Sequence, residues 1–123
     1  MTDLQSTIDT YLDAYGEPDV DRRAKLVDEV WAEDGALIDP PLDATGRAGI
    51  SDMAGAVQAS YAGHTFRRTS GIDHHHGFAR YEWELVSPDG TTALSGLDLA
   101  EIGDDGLIRR VVGFLGPIPT KEA

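Results

Sequence analysis

The segment that most constrains the fold is an apolar stretch, residues 91–102, that lies between two turn sequences. Residues 88–90 (Pro-Asp-Gly) precede it and residues 103–106 (Gly-Asp-Asp-Gly) follow it, and such residues are typical of tight hairpin connections. The segments beyond the turns, residues 78–87 and 107–115, also have the apolar or alternating pattern of strands. We therefore predict three consecutive strands that form an antiparallel meander.

Asp98, in the middle of the central strand, does not suit a strand interior. Aspartate is depleted in β-strands, and a carboxylate among apolar neighbours costs free energy unless it is paired or protonated. By strand alternation Asp98 shares its face with the small residues Gly96 and Ala100, which would leave space beside the carboxyl group. Asp98 is therefore predicted to lie at the floor of a cavity. The alternatives are a solvent-facing carboxylate or an ion pair with Arg109 or Arg110.

The first half of the chain is predicted to contain three amphipathic helices, over residues 4–15, 20–31 and 47–62. Thr2 and Gln5 are expected to form a capping box before the first helix. The second helix is expected to start after an N-cap at Asp19 and to bury one apolar face: Val20, Ala24, Val27, Val30 and Trp31.

Two further strands are predicted, a short one over residues 36–39 that proline ends and one over residues 64–72. A polar loop is expected between the first of these and Gly46. Helices followed by a long, mostly antiparallel sheet make an α+β arrangement. A strongly twisted sheet would curl around the first and third helices as a cone with apolar walls. The length of 123 residues suggests one domain, residues 1–123.

Charge and composition exclude several classes of partner. The formal net charge of −12 argues against nucleic acid and against an anionic membrane surface. The absence of cysteine excludes disulfides and thiolate metal sites. We find neither a signal peptide nor an apolar stretch long enough to span a membrane. These features lead us to expect a cytoplasmic protein without a cofactor.

The run from Asp73 to His76 invites a metal interpretation, because His74 and His76 would share a face of an extended chain and imidazoles suit zinc or copper. The run lies at a turn before Gly77, however, and a third ligand at recognisable spacing is missing. We predict no metal site but a solvated loop that includes His75. The alternative is a single histidine at the mouth of the cavity.

Several strings resemble the nuclear transport factor 2-like superfamily, within it the SnoaL-like and ketosteroid-isomerase-like branch. They are WAEDGALIDPP at residues 31–41, TGRAGI at 45–50, RYEWEL at 80–85 and SGLDLAEIGDDGLIRRVVGFLG at 95–116. The resemblance covers nearly the whole chain. It implies a cone-shaped α+β roll, a small-molecule ligand and a homodimer that pairs through the outer face of the sheet.

The resemblance also implies site residues. Isomerases of this superfamily place a tyrosine on the first helix, an aspartate after the first strand and an aspartate on a late strand. These positions fall on Tyr11, Asp39 and Asp98. By resemblance Asp39 is the base, while Asp98 and Tyr11 are donors to an oxyanion. Tyr15, one turn from Tyr11, competes for the same role. The side chains expected to bind substrate are Tyr15, Trp31, Met53, Tyr61, Trp83 and Phe114.

Other interpretations of these residues stay open. Asp39 before proline is also typical of a turn, and Tyr11 is also typical of a helix packed in the core. Arg67, Arg68 and Arg80 could reach a polar substrate or pair with carboxylates, which disfavours a steroid as the ligand.

Three functions follow from the resemblance. The first is an acid–base isomerase or cyclase that acts next to a carbonyl of a small, largely apolar molecule. The second is a ligand-binding or dimerisation module without catalysis. The third is an epoxide hydrolase, which ranks last because it needs two carboxylates and an arginine around a water, and a convincing Arg-x-Asp pair is missing from the strands.

Overall fold

The computed structural model of the chain describes residues 3–40 and 42–122. These residues form three helices and a curved mixed sheet of seven strands, so the predicted α+β class is confirmed. The elements in chain order are α1 (Leu4–Tyr15), α2 (Val20–Val30), β1 (Trp31–Asp39), β2 (Leu42–Thr45), α3 (Gly46–Ser60), β3 (Thr65–Arg68), β4 (Asp73–His75), β5 (Phe78–Val86), β6 (Thr92–Ile102) and β7 (Ile108–Leu115).

The predicted meander forms the centre of the sheet. The strands lie in the order β2-β1-β7-β6-β5-β3, and β4 pairs with the far end of β5. Strand β6 runs antiparallel to both β5 and β7, whereas β1 runs parallel to β7. The parallel pair brings the end of the first strand, Asp39, next to Gly113 in the middle of β7. The topology therefore unites two segments that are far apart in sequence.

The cap of α1 differs from the prediction. Asp3 is the N-cap, and its side chain accepts a hydrogen bond from the backbone N–H of Ser6 at 2.7 Å. Of the predicted capping box, Gln5 is exposed and Thr2 lies outside the described residues. Aspartate is as good an N-cap as threonine, so either residue suited this position.

The cap of α2 is confirmed, and its buried face is confirmed in part: Val27 and Val30 are buried as predicted, and so is Trp31, which starts β1 instead. Asp19 accepts a hydrogen bond from the N–H of Arg22 at 2.8 Å. Val20 is 63% exposed, while Arg23 is only 6% exposed. The buried stripe follows Arg23, Val27 and Val30, which are four and three residues apart, and the first residue of the helix projects away from it.

Two edge strands were not predicted. The expected polar loop after β1 contains β2, the expected strand over residues 64–72 is reduced to β3, and β4 lies in the histidine run, where a solvated loop was predicted. Neither β2 nor β4 contains a buried residue. Strand prediction rests on an apolar face that alternates with a polar one, and an exposed edge strand has no such face.

The sheet has two distinct faces. The inner face packs against the helices and carries Ala79, Tyr81, Trp83, Leu85, Asp98, Ala100 and Val111, all of them buried. The opposite surface, which we call the outer face, exposes Ile38, Phe78, Leu99 and Phe114. No helix in the described ranges is long and apolar enough to cross a membrane.

Candidate functional site

Asp98 is buried on the inner face, with 2% of its surface exposed. Its Oδ2 accepts a hydrogen bond from the Tyr81 hydroxyl at 2.9 Å, and its Oδ1 accepts one from the indole N–H of Trp83 at 3.0 Å. The alternative of an ion pair with Arg109 or Arg110 is wrong, because both arginines are exposed. Neutral donors thus hold this carboxyl group, and no positively charged side chain of residues 3–40 and 42–122 forms an ion pair with it.

The environment raises the pKa of Asp98 from 3.8 to about 7. Burial is the largest cause, since it disfavours the charged form. Hydrogen bonding from Tyr81 opposes the rise, the negative charge of Asp39 adds to it, and hydrogen bonding from Trp83 and Tyr11 opposes it. Near neutral pH a large fraction of Asp98 therefore carries its proton.

Asp39 faces Asp98 across a glycine. A Cβ on Gly113 would stand 2.6 Å from Oδ1 of Asp39 and 3.1 Å from Oδ1 of Asp98. Because Gly113 has no side chain, the carboxyl groups of Asp39 and Asp98 can both lie close to its Cα. Oδ1 of Asp39 is buried and has no hydrogen-bond partner among the described residues. Burial raises the pKa of Asp39 as well.

Two tyrosines of α1 complete the polar groups around this carboxyl pair. Tyr11 and Tyr15 are both buried, and their rings meet edge to face at 5.6 Å. Burial raises the pKa of each hydroxyl well above 10, so both remain protonated donors at any physiological pH. Within residues 3–40 and 42–122 the Tyr15 hydroxyl has no hydrogen-bond partner. The structure thus brings both candidate tyrosines to the carboxyl pair.

The space beside the carboxyl pair is small. It measures about 10 Å³ and is lined by Tyr11, Leu12, Tyr15, Asp39, Phe66, Trp83 and Asp98. A volume of this size holds about one water molecule. Gly96 provides the predicted room, but the indole of Trp83 fills it, because a Cβ on Gly96 would lie 2.4 Å from that ring.

The other predicted binding residues lie away from this pocket. Trp31 is buried behind Tyr11, with ring centres 5.7 Å apart, and Met53 is part of the core on α3. Tyr61 stacks edge to face with His64 just beyond the end of α3. Phe114 is 57% exposed on the outer face, opposite to the carboxyl pair.

The sequence indicated neither that Phe66 lines the pocket nor that Tyr81 donates a hydrogen bond to Asp98. Phe66 lies in a polar, basic segment where alternation is weak. Tyr81 and Asp98 are cross-strand partners in the β5–β6 hairpin. Counting outward from the turn at residues 88–90 would pair Tyr81 with Leu97, because a register shift between Leu85 and Val86 displaces the pairing by one residue. Hairpin counting alone would therefore have missed this contact.

The arginines of the polar segment pair with carboxylates. Arg67 contacts Glu84, Arg68 bonds Asp9 at 2.9 Å, and Arg80 bonds Asp73 at 2.8 Å. No arginine of the described ranges forms an ion pair with either carboxyl group of the site. This arrangement disfavours the epoxide hydrolase interpretation.

The histidine run adopts a hairpin. His74 and His75 belong to β4, and Nδ1 of His75 lies 3.0 Å from Nδ1 of His76. Among the described residues no three side chains of the His, Asp or Glu type are grouped so that they could hold a metal ion.

Comparison with known proteins shows the family to which the chain belongs. No family model matches the sequence, and neither does a curated protein. Among solved structures, a candidate isomerase of the SnoaL-like family from Agrobacterium tumefaciens is 37% identical; the match covers 95% of this chain and 100% of that one, with a TM-score of 0.87.

More distant structures share the fold. A nuclear transport factor 2-like protein of unknown function from Exiguobacterium is 16% identical over 91% of this chain and 99% of its own, with a TM-score of 0.71. A candidate polyketide cyclase from Sinorhizobium meliloti is 18% identical over 93% and 95%, with a TM-score of 0.68. The predicted family and cone-shaped roll are therefore confirmed, and the chain belongs to the SnoaL-like family.

Proposed function

We propose that this protein is an acid–base enzyme, an isomerase or cyclase that acts next to a carbonyl group of a small, largely apolar molecule. The observation that carries the proposal is the pair of carboxyl groups, Asp39 and Asp98, that face each other across Gly113 in a buried aromatic pocket. Two carboxyl groups in unlike environments are suited to opposite roles, one as a base and one as a donor.

Asp39 suits the role of the base. It lies at the end of β1, is less buried than Asp98 and has an oxygen without a hydrogen-bond partner among the described residues. Asp98, protonated in part at neutral pH, suits the role of donor together with Tyr11. In such a reaction Asp39 takes a proton from the carbon beside the carbonyl, the donors stabilise the oxyanion, and the proton returns at another carbon.

The names of related structures agree with this class of chemistry. The structure from Agrobacterium is described as a candidate isomerase, and the one from Sinorhizobium as a candidate polyketide cyclase. One observation favours the second function, a ligand-binding or dimerisation module without catalysis: the space beside the carboxyl pair, about 10 Å³, is too small for a substrate in this conformation.

Replacement of Asp39 separates the two functions. We expect Asp39→Asn to lower kcat about 10²- to 10⁴-fold, the typical contribution of a positioned base, and to change ligand affinity only a few-fold. The measurement is a screen of enones and polyketide-like ketones by absorbance and mass spectrometry, followed by kinetics and binding on any compound that is turned over. Asp34→Asn, an exposed position on the same strand, is the matched control and should retain full activity. Equal turnover by wild type and Asp39→Asn would contradict the acid–base role.

A second copy of this chain is the proposed partner of the outer face. That face exposes Ile38, Leu99 and Phe114, at 45%, 40% and 57%, which is unusual for a surface that stays in water. It also carries the oppositely charged neighbours Glu101 and Arg110. A face with both signs can pair with itself in spite of the net charge of −12.

We therefore expect the wild-type protein to sediment as a homodimer and Phe114→Glu to sediment as a monomer. The substitution places a charge at the centre of the apolar surface, where pairing would bury it. Val20→Glu, which changes an exposed valine of α2, should leave the dimer intact. A wild-type protein that is monomeric at all accessible concentrations would rule out this pairing.

A further inference from the structure

Phe66 lies where three cavities meet. Its side chain lines the pocket of about 10 Å³ that contains Asp39 and Asp98. It also lines two open cavities of about 310 Å³ each, one between α1 and β3 and the other near Gly16 at the end of α1. Phe66 therefore separates the carboxyl pair from spaces that are large enough for part of a small molecule.

Two aromatic side chains hold the ring of Phe66. Its centre lies 5.1 Å from that of Tyr15 and 5.2 Å from that of Trp83, with both contacts edge to face. Trp83 in turn donates its indole N–H to Asp98. The slot that the phenyl ring fills thus has aromatic walls and the carboxyl pair at its inner end.

The ring can leave this slot while the backbone stays in place. Strand β3 is paired with β5 along its whole length, and the guanidinium of Arg68 bonds Asp9 of α1 at 2.9 and 3.2 Å. Phe66 itself is only half-buried, and an open cavity lies beside it. A change of its side-chain rotamer is therefore sufficient to connect the inner pocket with the outer space.

The cavity between α1 and β3 has a polar lining. Asp9, Asp13, Arg67 and Arg68 surround it, whereas Leu12 and Phe66 form its boundary with the inner pocket. A molecule that spans both spaces would be apolar at its inner end and polar at its outer end.

We propose that Phe66 is the gate of the pocket and that its phenyl group stands where the ring of the substrate binds. When the side chain rotates into the cavity near Gly16, a planar six-membered ring with one oxygen takes its place between Tyr15 and Trp83. The oxygen then faces Asp39 and Asp98, and polar substituents extend into the cavity between α1 and β3. This inference deepens the proposed function, on which it rests for the carbonyl chemistry, by naming the shape of the substrate and its route of entry.

The test compares phenol with toluene, two rings of similar size of which only phenol has an oxygen. Affinities are measured by NMR shift titration of the intact protein. In Phe66→Ala the slot is empty, so we expect phenol to bind at least tenfold more tightly than to wild type, with shifts at Tyr15 and Trp83. We also expect about a tenfold preference for phenol over toluene, which Phe66→Ala/Asp39→Leu should lose.

The control Phe78→Ala removes a phenyl group from the outer face and should bind phenol as wild type does. Should Phe66→Ala fail to fold, Phe66→Leu should show the same trend at about threefold. The gate is refuted if phenol binds the variant no more tightly than wild type, or if phenol and toluene bind it equally.

The gate and the acid–base role can fail separately. Ring binding without turnover of any ketone would leave the gate in place and refute catalysis. Turnover that depends on Asp39, without ring binding to Phe66→Ala, would refute the gate alone.

Discussion

The free energy of unfolding is expected to fall by about 3 kcal/mol between pH 4 and pH 7 because of Asp98 alone. Its pKa is 3.8 in an ordinary setting and about 7 in the folded chain. In this window the folded state therefore binds more protons than the unfolded state, and the stability falls as pH rises. The sign is opposite to that of an aspartate in a salt bridge, which stabilises the fold once it is ionised. Each factor of ten in proton affinity corresponds to about 1.4 kcal/mol.

Asp98→Asn isolates this contribution. The amide is uncharged at every pH and has nearly the same shape, so the variant should lose about 3 kcal/mol less than wild type over the same window. Urea unfolding at a series of pH values measures the difference between the two curves. Carboxylates distant from Asp98 titrate alike in both proteins and cancel in that difference, whereas Asp39, whose charge acts on Asp98, contributes to it. Parallel curves would show that Asp98 is ionised in the folded protein, and its role as a donor would then be untenable.

The burial of Asp98 could be predicted from the sequence. An aspartate among leucines, glycine and alanine in a strand interior already indicated a buried carboxyl group, and the turns at residues 88–90 and 103–106 fixed the strands around it. Local patterns of this kind determine local structure reliably because strand alternation and turn chemistry act over a few residues.

The juxtaposition of Asp39 with Asp98 could not be predicted from such patterns. It depends on the parallel pairing of β1 with β7, two strands that lie about 70 residues apart and that no turn sequence connects. The family resemblance supplied this contact. The small size of the pocket was not predictable either, since the ring of Phe66 lines it and the sequence of β3, TFRR, has no alternating apolar residues.

The placement of the residues that we predicted to bind substrate shows the same limit. Tyr15 and Trp83 line the pocket, but Met53, Tyr61 and Phe114 do not. Apolar periodicity identifies a buried face of a helix or strand without telling which part of the core borders a cavity. For Phe114 even the face depends on the register of β7, because a shift by one residue exchanges the two sides of the sheet.

Gly113→Ala is expected to destabilise the protein by about 2 kcal/mol and to reduce any turnover at least 100-fold. The new methyl group would stand 2.6 Å from one oxygen of Asp39 and 3.1 Å from one of Asp98, and a Cβ does not tolerate a contact below 3.0 Å. One carboxyl group must therefore move, and reacting groups lose much of their efficiency when they shift by about 1 Å. Chemical denaturation and kinetics on a substrate from the ketone screen measure the two effects.

Two variants show whether the effect passes through the carboxyl pair. Gly71→Ala adds the same methyl group at a position with no atom within 4 Å and should have little effect. In Gly113→Ala/Asp39→Ala the closer oxygen is absent, so the double variant should regain most of the stability that Gly113→Ala loses. If the two substitutions are instead additive, Gly113 is needed for the backbone of β7, and the close approach of the carboxyl groups is not what this glycine provides.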